Sequence, residues 1–213
     1  MKKNAIIFGD SYSTFKNFIP DNYPTYYSEE ECPDKDVTKV EQTWWHQVVD
    51  KADLKLVLNN SWSGSTIGYT GYNNTDCSKS SSFIYRLRQL IENDFFAENE
   101  IDTVFVFGGT NDSWSNAPLG EIKYSDWEEK DLFFVLPAIS YFLNLLRETL
   151  PQATICCLIN TDIKKEIASG IKSACKEFNI ISVPFDKIDK MCGHPTIEGM
   201  KEIKNGVLNA LTK

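Results

Sequence analysis

Residues 1–15 read MKKNAIIFGDSYSTF. A lysine pair leads into a short apolar run, Ala5-Ile6-Ile7-Phe8, which stops abruptly at Gly9-Asp10-Ser11. A nearly continuous apolar run of this length, closed by a small polar turn, reads as a strand buried on both faces. The same pattern recurs at residues 54–58, 103–107, 154–159 and 180–183. Between these runs the apolar residues change to helical spacing. Trp45, Val48, Val49 and Ala52 form one stripe, and Phe83, Leu87, Leu90 and Ile91 the next. Further stripes run from Ile139 to Leu150, from Ile163 to Phe178 and from Ile197 to Leu211.

Strand–helix alternation implies parallel pairing, because each crossover helix returns the chain to the same edge. The expectation is an α/β fold of three layers, with five parallel strands and helices on both faces of the sheet. No composition break or repeat divides the pattern, so residues 1–213 are expected to form a single domain.

The chain is 42% apolar and 24% charged, which is ordinary for a globular protein and excludes a disordered one. Its formal net charge is −8, and no Lys/Arg cluster forms a basic stripe. Nucleic acid and anionic membranes are therefore not expected as partners, since both need concentrated positive charge. No apolar run approaches the ~20 residues that span a bilayer. The first apolar run is too short for a signal peptide and reads as a strand, although a signal removed ahead of it remains an alternative. The six cysteines are scattered without a CxxC pair, which suits reduced thiols in a cytoplasmic protein. With two histidines, His46 and His194, and no ligand spacing, neither a metal nor another cofactor is expected. Nothing in the sequence speaks to oligomeric state.

Ligands of open α/β sheets bind at the carboxyl ends of the strands. The first strand is followed by Gly9-Asp10-Ser11, and the second by Asn59-Asn60-Ser61-Trp62-Ser63-Gly64-Ser65. The third is followed by Gly108-Gly109-Thr110-Asn111-Asp112, and the fifth, further on, by Cys192-Gly193-His194-Pro195-Thr196. Each has a structural reading of its own. Asp10, Ser11 or Ser13 could cap a helix, Gly64 could serve a turn, Asn111 or Asp112 could make an Asx-turn, and Pro195 suits a helix's first turn. Together they supply a hydroxyl, an imidazole, a glycine amide and a carboxamide. Those are the parts for acyl transfer: a nucleophile with its base, and donors for the developing oxyanion.

In these four blocks, in order and across nearly the whole chain, the sequence resembles the GDSL-type lipase/esterase family, also called SGNH hydrolases. GDSYS corresponds to the first block, NNSWSG to the second, GGTND to the third and GHPTIEGM to the last. The resemblance implies a flavodoxin-like sheet and an ester-hydrolysing enzyme. It implies Ser11 as nucleophile, His194 as general base, and an oxyanion hole made by the Ser11 and Gly64 amides with the Asn111 side chain. Members of this family usually carry Asp three residues before the histidine, and that position is Met191 here. Asp189 is the nearest upstream carboxylate. Either a bulge brings Asp189 to the imidazole, or a main-chain carbonyl near Met191 takes its place and leaves a Ser–His dyad.

Two long connections, residues 18–43 and 111–130, exceed what a compact domain needs for a linker. Both are rich in aromatics, among them Phe18, Tyr23, Tyr26, Tyr27, Trp114, Tyr124 and Trp127, and so are expected to be ordered loops over a site. Tyr26, Tyr27 and Trp114 are the candidate substrate contacts. The substrate expected is a small-molecule acyl ester, with acyl groups on carbohydrates among the candidates. Two readings compete: a flavodoxin-like phosphate or nucleotide module using Ser11-Tyr12-Ser13-Thr14, and a catalytically silent carbohydrate-binding relative.

Overall fold

Strand β1 (Lys3–Gly9) is an inner strand of the main sheet in the computed structural model, which describes residues 2–212. The chain continues through α1 (Trp44–Lys51), β2 (Leu54–Ser61), α2 (Phe83–Glu92), α3 (Phe95–Glu98) and β3 (Thr103–Phe107). Then come α4 (Thr110–Trp114), α5 (Val135–Thr149), β4 (Thr154–Ile159), α6 (Lys165–Glu177) and β5 (Ile181–Pro184). A two-stranded hairpin, β6 (Lys190–Met191) and β7 (His194–Pro195), precedes the last helix, α7 (Ile197–Leu211).

The main sheet has the order β2-β1-β3-β4-β5, and every pairing is parallel. Successive strand side chains point to opposite faces, and the core divides accordingly. Ile6, Phe8, Val104, Val106, Ile155 and Cys157 pack with Phe83, Phe142, Ile167 and Ile171 of α2, α5 and α6. Ala5, Ile7, Phe105, Phe107, Cys156 and Leu158 pack with Trp44, Val48, Met200 and Ile203 of α1 and α7. Because both faces are covered, the central strands need no polar face, which is why they are continuous apolar runs. The strand order reverses direction at β1, so the carboxyl ends of β1 and β3 form the switch point where such sheets bind ligands.

The first long connection is tied down rather than draped. Tyr27 is wholly buried, as is Val37, and the Lys16 amide bonds the Tyr27 carbonyl. The second begins as helix α4, whose turn follows Gly109. Its later aromatics depart from the expectation: Tyr124 and Trp127 pack on Phe178, just past the end of α6. Helices of parallel sheets run antiparallel to the strands, so that end is the amino edge, away from the rim. Pro195 also differs from the expected helix start. It ends β7, and Thr196 is the N-cap of α7, its hydroxyl accepting the Gly199 amide at 3.2 Å.

Candidate active site

Ser11 stands on a single 3₁₀ turn directly after β1. Asp10 holds that turn, its carboxylate accepting the Tyr12 amide at 3.0 Å. Gly9 is needed for close approach: a Cβ there would fall 2.5 Å from both Ser13 Cβ and Ser61 Oγ. The second block follows β2. Trp62 donates its amide to the Gly9 carbonyl at 3.1 Å, which brings the exposed Gly64 to the same rim. Neither the Ser11 nor the Gly64 amide meets a main-chain acceptor among the described residues. Asn111 is the second residue of α4, its side chain buried. Its Nδ2 donates to the Ser65 carbonyl at 2.9 Å, and its Oδ1 accepts the Tyr72 hydroxyl at 2.8 Å. A carbonyl only accepts, so the orientation of the carboxamide is determined, and one Nδ2 hydrogen is left over.

His194 arrives from the other end of the chain on the β6–β7 hairpin. Cys192 and Gly193 make its two-residue turn with φ of 48° and 79°, the pair of positive values a tight hairpin of this kind demands. His194 Nε2 lies 3.0 Å from Ser11 Oγ. On the far side of the ring, Nδ1 faces the Cys192 carbonyl at 3.1 Å. That carbonyl accepts only, so Nδ1 carries the proton and Nε2 is free to take one from Ser11. Burial lowers the His194 pKa from its ordinary value; the Cys192 hydrogen bond opposes this and the Lys190 charge adds to it.

Asp189 does not reach the imidazole. In the hairpin Met191 pairs with His194 and Lys190 with Pro195. One step further out, the Asp189 carbonyl accepts the Thr196 amide at 3.0 Å, and its carboxylate accepts the Thr196 hydroxyl. Each step back from the turn moves the partner one step forward, so a carboxylate at 189 addresses the α7 cap. The aromatic candidates also separate. Tyr26 lies flat on His194, ring centroids 3.6 Å apart and planes at 8°. Trp114, 40% exposed, meets His194 edge-on at 5.9 Å. Tyr27 is not at the mouth: it is wholly buried, and its hydroxyl donates to the Pro195 carbonyl at 2.7 Å. It is a strut under the hairpin.

Sequence reading passed over the residues that hold the site. Arg86 of α2 is buried and donates to the Gly9 and Asn60 carbonyls, Asn60 Oδ1, the Ser65 hydroxyl and the Ser81 carbonyl. Asn160 follows β4 on the same rim, a position that the carboxyl-end rule would have marked. Tyr72 sits in an irregular connection with no local signal. A cavity of about 480 Å³ opens elsewhere, lined by Lys3, Leu54, Thr103 and Leu211, and touches neither Ser11 nor His194.

The sequence profile of the GDSL-like lipase/acylhydrolases matches residues 3–211. The chain belongs to that family. A candidate GDSL-like lipase from Bacteroides ovatus ATCC 8483 is 37% identical, with a TM-score of 0.91 over 100% of this chain and 99% of its own. Another from Bacteroides uniformis ATCC 8492 is also 37% identical, with a TM-score of 0.91 over 99% of this chain and 96% of its own. A family two carbohydrate esterase from Clostridium thermocellum, in complex with cellohexaose, is 14% identical. It gives a TM-score of 0.67 over 100% of this chain and 64% of its own, a likeness of fold alone. A search of curated proteins gave no match. As a GDSL-like acylhydrolase the protein is an ester hydrolase, and none of its described helices is long and apolar enough to cross a membrane.

Proposed function

We propose that this GDSL-like hydrolase cleaves small acyl esters through an acyl-enzyme on Ser11. The observation that carries the reading is the 3.0 Å contact between His194 Nε2 and Ser11 Oγ, with Nδ1 already committed to a carbonyl. His194 takes the Ser11 proton as Oγ attacks the ester carbonyl, then delivers it to the departing alcohol; a water repeats the sequence in reverse. The Ser11 and Gly64 amides and the free Nδ2 hydrogen of Asn111 stabilise the oxyanion. The base works in a Ser–His dyad with the Cys192 carbonyl behind it, since the Asp189 carboxylate is engaged by Thr196.

Esters carried on sugars are the preferred substrates. Tyr26 and Trp114 flank His194, and partly exposed aromatic faces suit sugar rings. The carbohydrate esterase that shares the fold points the same way. A phosphate-binding role for the Ser11 turn would leave the imidazole beside the hydroxyl without a task. Ser11→Ala should fold normally and lose roughly 10³-fold or more in turnover, measured on p-nitrophenyl esters of rising chain length and on acetylated oligosaccharides. Near-normal turnover in that variant would overturn the reading.

A further inference from the structure

His194 needs something to hold it, and the position at which the GDSL-type resemblance implies a carboxylate is Met191 here. Next to it, Lys190 turns inward, its side chain only 10% exposed. Its ammonium donates to Asn160 Oδ1 at 2.7 Å, to Thr161 Oγ1 at 3.1 Å and to Asp162 Oδ2 at 2.7 Å. Asn160 is buried and fully bonded. Its Oδ1 also accepts the Thr161 amide at 2.8 Å, while Nδ2 donates to Thr110 Oγ1 at 3.0 Å and to the Tyr12 hydroxyl at 3.2 Å. The Tyr12 hydroxyl in turn donates to the Gly193 carbonyl, inside the turn that carries His194. Tyr12 is the residue after Ser11, and its ring packs 5.5 Å from His194 and 5.5 Å from the Lys190 ammonium. The network therefore joins the nucleophile turn, the end of β4, and the first strand and turn of the hairpin.

We propose that Lys190, Asn160 and Tyr12 form the positioning device for His194: they hold the hairpin turn that carries the ring, while the Cys192 carbonyl fixes its tautomer. This rests on the Ser–His reading above and deepens it. The sign of the charge matters. A carboxylate behind the ring favours imidazolium, whereas a nearby ammonium disfavours it. The base then stays neutral, and competent, to lower pH than in a triad.

Other charges near the ring do not reverse this. On its own segment, the Asp189 carboxylate is bonded to Thr196, while Glu202 of α7 takes the Asp189 amide. From the long loop, Asp34 lies against the Cys192 thiol and Asp36 accepts the Ile197 amide, while Tyr26 covers the ring. Beneath the turn, burial raises the pKa of Asp10 and of Asp112 on α4. Asp162, beyond β4, is paired with Lys190 and largely exposed.

The test is the pH dependence of kcat/KM on a short p-nitrophenyl ester at low salt, with the His194 ring titration followed by NMR. Lys190→Met removes the cation and leaves Asp162 unbalanced, so the acid limb should move up by about half a pH unit and turnover should fall. Asp162→Asn, at an exposed position, frees the full Lys190 charge and should move the limb down. Tyr12→Phe keeps the ring but frees Gly193, and should lower kcat by roughly 10-fold with KM little changed. The proposal stands if the Lys190→Met limb lies above that of Asp162→Asn, and is overturned if the two coincide or exchange order. Should Lys190→Met not fold, wild type and Asp162→Asn are compared by the same rule. Failure of the underlying reading is separately visible, as activity surviving in Ser11→Ala.

Discussion

At the scale of single residues, the site depends on small groups whose direction is fixed from behind. Asn111 is the clearest case, because Tyr72 and Ser65 between them decide which atom of its carboxamide faces the rim. Asn111→Ala should lower kcat by about 10²–10³-fold with KM nearly unchanged, since its bond is made mainly in the transition state. Tyr72→Phe should cost less, roughly 3- to 10-fold in kcat, because one of the two tethers survives. A pure KM effect in either variant would make Asn111 a substrate-positioning group instead. Ser11, Gly64 and Asn111 could be singled out in the sequence because they follow the apolar runs of β1, β2 and β3, whereas His194, on the short hairpin, was marked only by the GHPTIEGM block. Tyr26 and Tyr27 were not distinguishable. They are adjacent in a loop without periodicity, so only the tertiary packing decides that one covers His194 and the other props Pro195.

Elements repeat the lesson with different physics. The inner strands β1, β3 and β4 could be read directly, since burial on both faces leaves a nearly unbroken apolar run, and the edge strands β2 and β5 by their shorter apolar stretches. The carboxyl end of β2 could not, because Asn59, Asn60 and Ser61 are polar yet buried. They stay in the strand because they are bonded: Asn59 Nδ2 donates to the Ser13 carbonyl at 2.9 Å, and Asn60 receives Arg86. The β6–β7 hairpin was also invisible, its strands being two residues each with no Asn-Gly or Asp-Gly turn. Arg86 is what α2 contributes to this frame. Its guanidinium serves only neutral oxygens and lies over the Phe83 ring, and burial lowers its pKa to about 10. Arg86→Met would strand those acceptors, costing roughly 2–4 kcal/mol. Thermal unfolding should show Tm lower by about 5–15 °C; a fall of only a degree or two would mean the surrounding carbonyls find other partners.

For the whole molecule, the alternation of strand and helix made the layered topology legible, whereas the buried charges that tune its stability have no sequence signature. Burial raises the Asp10 pKa to about 7 and that of Asp112 to about 6, from 3.8 for each in an unfolded chain. A carboxyl that is harder to ionise when folded stabilises the fold fully below its unfolded pKa, and that stabilisation is lost as pH rises through the folded value. Tm should therefore fall between about pH 4 and pH 7. Asp131 and Asp162, whose pKa values are lowered by Lys123 and Lys190, act in the opposite sense, and their contribution is lost only on further acidification. Asp10→Asn should flatten the slope above about pH 4; an unchanged slope would assign it to other groups. Ser11 and His194, which meet at 3.0 Å, stand 183 residues apart along the chain. Synthesis makes the hydroxyl's turn first and the imidazole's hairpin almost last. Under the proposed Ser–His mechanism, a growing or half-folded polypeptide holds a serine with no base beside it, and any local opening of the hairpin would return the folded protein to that inert condition. On that mechanism, catalytic competence would be a certificate of completed folding, and intermediates released early would be unable to capture acyl groups from the esters around them.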